Sequence, residues 1–256
     1  MSEAVEYLSS SSVKKFASCP KSYEYRYVRG YEVPEPEENK YIKRGNVVHN
    51  VLEELLESDS ELSNTDSVHQ FLLDNCSDAY STSMASDVED CLEMAAKYTV
   101  NYVEDVRDVE ERWSMDHGDI DLVGYADLID GDTIVDWKTG KSEGKELDEK
   151  IQASFYIKLF ENEYEHLPEK VEFVYLTEGE LSTHNRITDD GEVMWNNHQN
   201  KYWKEVESII SQIQMAHNQD NWEAQPGNCY FCEFKNACSD YVGSENVTRQ
   251  QIEIGI

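Results

Sequence analysis

The chain has 256 residues, enough for one large domain or two small ones, and no stretch approaches the run of about 20 apolar residues that a membrane-spanning helix needs. Its formal charge is −31, from 53 acidic and 22 basic residues, yet 39% of it is hydrophobic and 11% aromatic, which excludes a disordered acidic tail. Acids dispersed along a folding chain with little lysine point to a protein suited to molar salt, where self-repulsion is screened. With no secretory segment after Met1, a soluble cytoplasmic protein is expected.

The serine run Ser9 to Ser12 supplies N-cap candidates for a helix over residues 8–29. The charge inverts here: residues 1–50 hold 8 Lys/Arg against 7 Asp/Glu, whereas residues 51–256 hold 14 against 46. Lys14, Lys15, Lys21, Arg26 and Arg29 alternate with Tyr23, Tyr25, Tyr27 and Tyr31. Such a strip suits a nucleic-acid strand, or is a solvated helix face with its tyrosines packed inward. A polar connection over 32–40 leads to a helix over 46–58, whose apolar face (Val48, Val51, Leu52, Leu55) also carries His49. A lone histidine there is a core residue unless carboxylates await a further ligand. Helices are expected over 67–82 and 86–110, with Cys76 and Cys91 as buried thiols. A β-hairpin at about 119–138, a charged loop over 141–149 and a helix over 149–163 follow. Strands over 171–177 and 180–187, a long helix over 190–218 that includes Trp195, and a short cysteine-rich end complete the chain. This order predicts an α/β or α+β core with a helical N-terminal elaboration.

The hairpin carries the chemistry. In Gly124-Tyr-Ala-Asp127-Leu-Ile-Asp-Gly131-Asp-Thr-Ile-Val-Asp136-Trp-Lys138, strand formers flank a turn signal. A two-residue loop at Gly131-Asp132 sets Asp127 opposite Asp136, and one at Asp130-Gly131 makes them diagonal neighbours. Either register leaves Asp127, Asp136 and Lys138 on one face; a three-residue loop would separate the carboxylates. Two carboxylates this close form a site for a hard cation, and the ammonium beside them can meet a phosphate. Gln152 and Tyr156, four residues apart, share a helix face that could approach these strand ends. An imidazole from His49 would shift the preference from Mg²⁺ toward Mn²⁺.

Cys229, Cys232 and Cys238 cluster near the end of the chain and need a fourth thiol to complete a metal site. Cys19, followed by Pro20, is the best candidate, and a shared cluster would staple the two ends of the domain. Spacing alone leaves zinc and iron–sulfur both open.

Taken in order, these motifs resemble the RecB-like branch of the PD-(D/E)xK nuclease superfamily, and within it the CRISPR-associated Cas-four-type iron–sulfur exonucleases and their stand-alone archaeal and viral relatives. The likeness lies in Leu8 to Tyr25 with Cys19, Arg44-Gly45-Asn-Val-Val-His49, Gly124-Tyr-Ala-Asp127, Asp136-Trp-Lys138, Gln152-Ala-Ser-Phe-Tyr156 and the terminal cysteine triad. The proline of the superfamily label is replaced by Ala126, which the RecB-like Gly-x-x-Asp form allows.

The resemblance implies a restriction-endonuclease-like core, a small mixed sheet flanked by helices, in a single domain over 1–256. Residues 1–115 would be its helical N-terminal part, 116–218 the nuclease core and 219–256 the cysteine segment. It implies that His49, Asp127, Asp136 and the Trp137 carbonyl bind Mn²⁺ or Mg²⁺. Lys138 would activate water or stabilise charge, with Gln152 and Tyr156 positioning the DNA or the lysine. Cys19, Cys229, Cys232 and Cys238 would hold a structural 4Fe–4S cluster. Read from its composition, the basic strip would contact DNA through Lys14, Lys15, Lys21, Tyr23, Arg26 and Arg29. The implied activity is 5′→3′ exonucleolytic hydrolysis of single strands and DNA ends, in recombination, replication, repair or CRISPR spacer acquisition, with proteins of those systems as partners. A non-catalytic, cluster-stabilised DNA- or partner-binding module and a zinc-stabilised scaffold are the alternatives.

Overall fold

A computed structural model describes residues 7–31, 40–58, 64–76, 85–102, 106–143, 146–189, 192–195, 197–225, 229 and 232–241. Strand β1 (Tyr7–Ser9) leads directly into helix α1 (Ser10–Ser18). Ser9 and Ser12 cap it reciprocally: the Ser9 side chain accepts from Ser12 N at 3.3 Å, and the Ser12 hydroxyl accepts from Ser9 N at 2.9 Å. The single helix expected over 8–29 breaks at Cys19, which is extended (φ −166°, ψ 110°) because Pro20 disfavours a helical conformation in the residue before it. A short α2 (Pro20–Tyr23) and a π-helical turn over Glu24–Val28 follow. The connection expected over 32–40 lies outside the described residues as far as residue 39.

Helix α3 (Lys40–Glu57) starts earlier than residue 46, and α4 (Thr65–Cys76) and α5 (Ala85–Thr99) follow. Beyond residue 76, the helix expected over 67–82 lies outside the described residues. The helix expected to reach residue 110 stops at Thr99, and Val106–His117 is strand β2. It turns at Gly118-Asp119 into β3 (Ile120–Asp130), which pairs with β4 (Thr133–Lys138) in the expected hairpin. Helix α6 (Glu146–Tyr164) begins inside the expected loop, and β5 (Lys170–Tyr175) and β6 (Glu180–Asp189) match the two later strands. The long helix expected over 190–218 is divided, because Glu192–Trp195 forms β7 against β6 and α7 spans only Asn197–Gln219.

These strands form one mixed seven-stranded sheet, with β1–β3 and β4–β5 parallel and the other pairs antiparallel. Helices α1, α6 and α7 cover one face through Val13, Phe16, Phe155, Leu159, Phe160, Val206 and Ile210, all buried. Helices α3, α4 and α5 cover the other through Val48, Val51, Leu52, Leu72, Leu92 and Ala95, together with Cys76 and Cys91. A sheet between two helical layers is the expected mixed architecture.

Strand β3 has three partners on two edges. Strand β2 lines residues 120–130 of β3 on one edge, so β1, at Asp121–Val123, and β4, at Leu128–Asp130, must share the other. Between them, among the described residues, 124–127 of that edge have no strand partner. This gap is where the candidate site forms.

Beside α1 lies an aromatic cluster in which Tyr23 stacks on Trp222 (5.8 Å) and meets Phe16 edge-on (5.5 Å). His217 stands edge-on to Trp222 at 4.7 Å, and among the described residues neither of its ring nitrogens has a hydrogen-bond partner. Burial therefore lowers its pKa below the usual 6.5, against the pull of Asp220. A depressed folded-state pKa gives stability that is complete above pH 6.5 and is lost as pH falls through the folded value. Chemical denaturation of His217→Phe should lack this part of the acid-side decline; identical pH profiles for wild type and variant would contradict it.

Candidate active site

The β3–β4 register pairs Leu128 with Val135 and Asp130 with Thr133 across a two-residue turn at Gly131-Asp132. Gly131 takes a positive φ of 55° there, the left-handed region in which glycine is unstrained. Extended by one step, the same register sets Asp127 opposite Asp136. The strands part at that step, and side chains replace the ladder. Asp127 Oδ2 accepts from the Trp137 backbone N–H at 2.6 Å. The Tyr156 hydroxyl lies 2.8 Å from the Tyr125 carbonyl oxygen and 2.6 Å from Asp136 Oδ1. Its single proton serves both, with the charged acceptor the stronger.

Helix α6 reaches the gap because residue 124 is glycine. A Cβ there would stand 2.6 Å from Leu159 Cδ1 and 3.9 Å from the Tyr156 ring. One turn before Tyr156, Gln152 organises the polar groups. Its amide nitrogen donates to Asp136 Oδ1 and to the Tyr156 hydroxyl, each at 2.8 Å. Its carbonyl oxygen accepts from Lys138 Nζ at 3.1 Å and from Lys14 Nζ at 3.3 Å. Lys138 also pairs with Asp136 Oδ2 at 2.5 Å and lies over the Phe173 ring. Burial and the Asp136 and Asp127 charges raise the Tyr156 pKa, so its proton stays in place.

From the opposite helical layer, α3 is tied to the end of β4 by the Arg44 guanidinium, which donates to the Thr139 carbonyl. One turn on, His49 Nδ1 lies 3.5 Å from Asp127 and 4.0 Å from Glu110. Burial opposes the imidazolium, but the hydrogen bonds to Asp127 and Glu110 and the charges of Asp127 and Asp136 outweigh it and bring the His49 pKa to about 10. The Asp127 carboxyl is shifted upward, first by burial and then by the Asp136 charge, despite the opposing pull of His49.

Ligand atoms of His49, Glu110 and Asp127 all lie within 4.8 Å of one another, and an imidazole with two carboxylates suits a divalent cation of the Mn²⁺ type. Asp136 adjoins this set but is engaged by Lys138, Gln152 and Tyr156. Glu110, expected at the end of a helix, joins the candidate site. Its backbone is left-handed (φ 49°), a strained conformation for a non-glycine strand residue. The signal for it was Trp113 and Met115 alternating with polar residues before the Gly118-Asp119 turn. That register puts Glu110 opposite Asp127, between the pairs Val109–Leu128 and Glu111–Ala126.

A cavity of about 320 Å³ is lined by Cys19, Cys229, Cys232 and Cys238, with Tyr25 and Phe234. The break at Cys19 turns its sulfur to this cavity, 3.4 Å from the Gln225 backbone N–H, which donates to it. Among the described residues no three cysteine sulfurs lie within 4.8 Å of one another.

Much of the basic strip is ion-paired. Lys15 meets Glu233 at 2.6 Å and Arg26 the same carboxylate at 3.8 Å, while Lys21 and Arg29 hold buried Glu24 at 2.8 and 2.6 Å. Tyr23 is only 1% exposed within the aromatic cluster and offers no ring face to a base, whereas Tyr27 and Tyr31 are exposed. Lys14 points to the gap.

Calorimetric titration of Mn²⁺ into Asp127→Ala and Glu110→Gln should show binding weakened about tenfold or more relative to wild type. Undiminished binding by Glu110→Gln would remove Glu110 from the ion site. Gly124→Ala should lower stability by about 1–3 kcal/mol, read by chemical denaturation, because Leu159 is buried and has little room to yield. A neutral effect would show that α6 can recede from β3.

Comparison with solved structures gives a candidate exonuclease from Eubacterium rectale, 16% identical, with a TM-score of 0.58 over 98% of this chain and 94% of that one. At that identity the likeness shows the fold alone. A second structure, of SSO0001, is 19% identical over 77% of this chain and 96% of that one; its TM-score of 0.37 carries no argument. Comparison with curated proteins gives no match. The family comparison does: residues 7–239 match the PD-(D/E)XK nuclease superfamily, a span that takes in Cys19, His49, the β3–β4 hairpin, Gln152, Tyr156 and the terminal cysteines. The chain therefore belongs to the PD-(D/E)XK nuclease superfamily.

Proposed function

We propose that this chain is a divalent-metal-dependent deoxyribonuclease of the iron–sulfur, Cas-four-like kind, degrading single strands and DNA ends with 5′→3′ polarity. The observation that carries the reading is the convergence of Asp127, Asp136, His49 and Lys138 on the gap in β3, in a chain of this nuclease superfamily. His49, Asp127 and Asp136, joined by Glu110 and the Trp137 carbonyl, are assigned the catalytic Mn²⁺ or Mg²⁺. When bound, that ion polarises the phosphate, lowers the pKa of a bound water and offsets charge on the non-bridging oxygens.

The protein's own groups do the rest. Lys138, held between Asp136 and Gln152, presents an ammonium to the phosphate and stabilises its developing charge. Tyr156 and Gln152 donate to the same Asp136 oxygen and fix the carboxylate against both its neighbours.

The cysteine cavity is assigned a structural 4Fe–4S cluster. Four thiols and no imidazole line it, and its volume exceeds what one ion needs. A single tetrahedral Zn²⁺, with Zn–S bonds of about 2.3 Å, draws its sulfurs to roughly 3.8 Å apart. The wider spacing here suits a polynuclear cluster. Joining Cys19 to the terminal triad would make residues 1–256 one nuclease domain. The charge of −31 supports a cytoplasm rich in salt. Recombination, replication, repair or CRISPR spacer acquisition is the setting proposed, with proteins of those systems as partners.

End-labelled single- and double-stranded DNA incubated with Mn²⁺ in molar KCl should be degraded from the 5′ end. Asp136→Ala and Lys138→Ala should each lower the rate at least about a hundredfold. Equal rates in wild type and Asp136→Ala would remove the site assignment. The purified protein should be brown, with about four irons per chain and absorbance near 400 nm, and Cys232→Ser should lose both. A colourless protein with stoichiometric zinc would overturn the cluster.

A further inference from the structure

Lys14 and Lys138 come from opposite ends of the fold, one from α1 and the other from β4, yet each ammonium donates to the same Gln152 carbonyl oxygen, at 3.3 and 3.1 Å. One carbonyl oxygen has two lone pairs, and here two cations use them. Their nitrogens are thus no farther apart than about twice a hydrogen-bond length. Asp136 directly balances Lys138. Two ammonium groups so close repel each other, and an oxyanion that accepts from both relieves the repulsion.

The position of Lys14 is built rather than incidental. Its helix starts at the reciprocal Ser9–Ser12 cap, directly after β1 pairs with β3 at Tyr7–Ser9. On the next residue, Lys15 is fixed by Glu233, beside Cys232. Lys14 is therefore held half-buried at the rim of the gap while its neighbour faces the cysteine cavity. On a chain of net charge −31 with Asp127, Asp136 and Glu110 around the site, a DNA phosphate needs cations at that point, because the field of the whole molecule repels it.

We infer that Lys14 is a substrate-binding residue, which with Lys138 grips one phosphate of the DNA strand across Gln152. This rests on the nuclease reading for its substrate, and the test separates the two. A fluorescein-labelled single-stranded oligonucleotide is titrated with wild type, Lys14→Met and Lys14→Arg, with Ca²⁺ in place of Mn²⁺ so that binding is read without cutting. Cleavage with Mn²⁺ is followed in parallel.

Lys14→Met should bind the oligonucleotide about tenfold more weakly. Its plot of log affinity against log salt should be shallower by about 0.7, the contribution of one phosphate contact to a single strand. Lys14→Arg should restore most of both, and thermal stability and Mn²⁺ affinity should match wild type. An unchanged affinity and salt slope in Lys14→Met would overturn the inference. So would a loss that merely follows lowered stability or weakened Mn²⁺ binding, and so would wild type that does not bind the oligonucleotide. Wild type that binds but does not cut would contradict the nuclease reading, while the binding comparison still decides the role of Lys14.

Discussion

One edge of β3 serves two partners in succession, and the functional end of the molecule follows from the space between them. β1 leaves after Val123 and β4 joins only at Leu128, so four residues of a central strand lack a ladder along that edge. Buried backbone groups without partners are destabilising, typically by 1–3 kcal/mol each. Side chains take the place of the ladder: Tyr156 reaches the Tyr125 carbonyl of β3, and Asp127 accepts the Trp137 N–H of the facing β4. A carboxylate and a phenol thus stand inside a sheet at a place open to both helical layers. α6 supplies Gln152 and Tyr156 from one side and α3 supplies His49 from the other.

Crowding carboxylates there is unfavourable, and the surrounding groups show how it is balanced. Asp136 has three donors, from Lys138, Gln152 and Tyr156. Asp127 has a backbone N–H and the His49 imidazole, whose pKa is raised, against burial, by its hydrogen bonds to Asp127 and Glu110 and by the nearby carboxylate charges. Strain at Glu110 adds to this: a left-handed residue in mid-strand persists only where its surroundings hold it. A divalent cation would relieve both the repulsion and the need for a charged histidine, which gives the proposed metal a thermodynamic reason to bind here.

The hairpin was legible because its information is local. A turn at Gly131-Asp132 and the alternation on either side determine which residues face each other, and the two-residue register is the one observed. Gln152 and Tyr156 were legible as a helical pair, but their reach depends on Gly124, whose missing side chain admits α6. The first helix was misread because Pro20 acts on the residue before it, breaking at Cys19 a pattern whose apolar spacing continues. Only residues 106–110 of β2 fall in an expected helix, and residues 111–117 carried no assignment, because Glu110 and Glu111 interrupt the alternation; pairing with β3 makes the segment a strand. The basic strip was legible as composition but not as electrostatics. Its carboxylate partners Glu233 and Asp220 lie about two hundred positions away and meet it only in the folded chain.

The central claim is that the gap in β3 holds the divalent ion on which hydrolysis depends. Anomalous diffraction at the manganese edge, from crystals soaked in Mn²⁺, tests it most directly. The account predicts a single strong peak among His49, Glu110, Asp127 and Asp136, within about 2.0–2.4 Å of the atoms that ligate it. A peak elsewhere, or none at a concentration that saturates binding in solution, would contradict it.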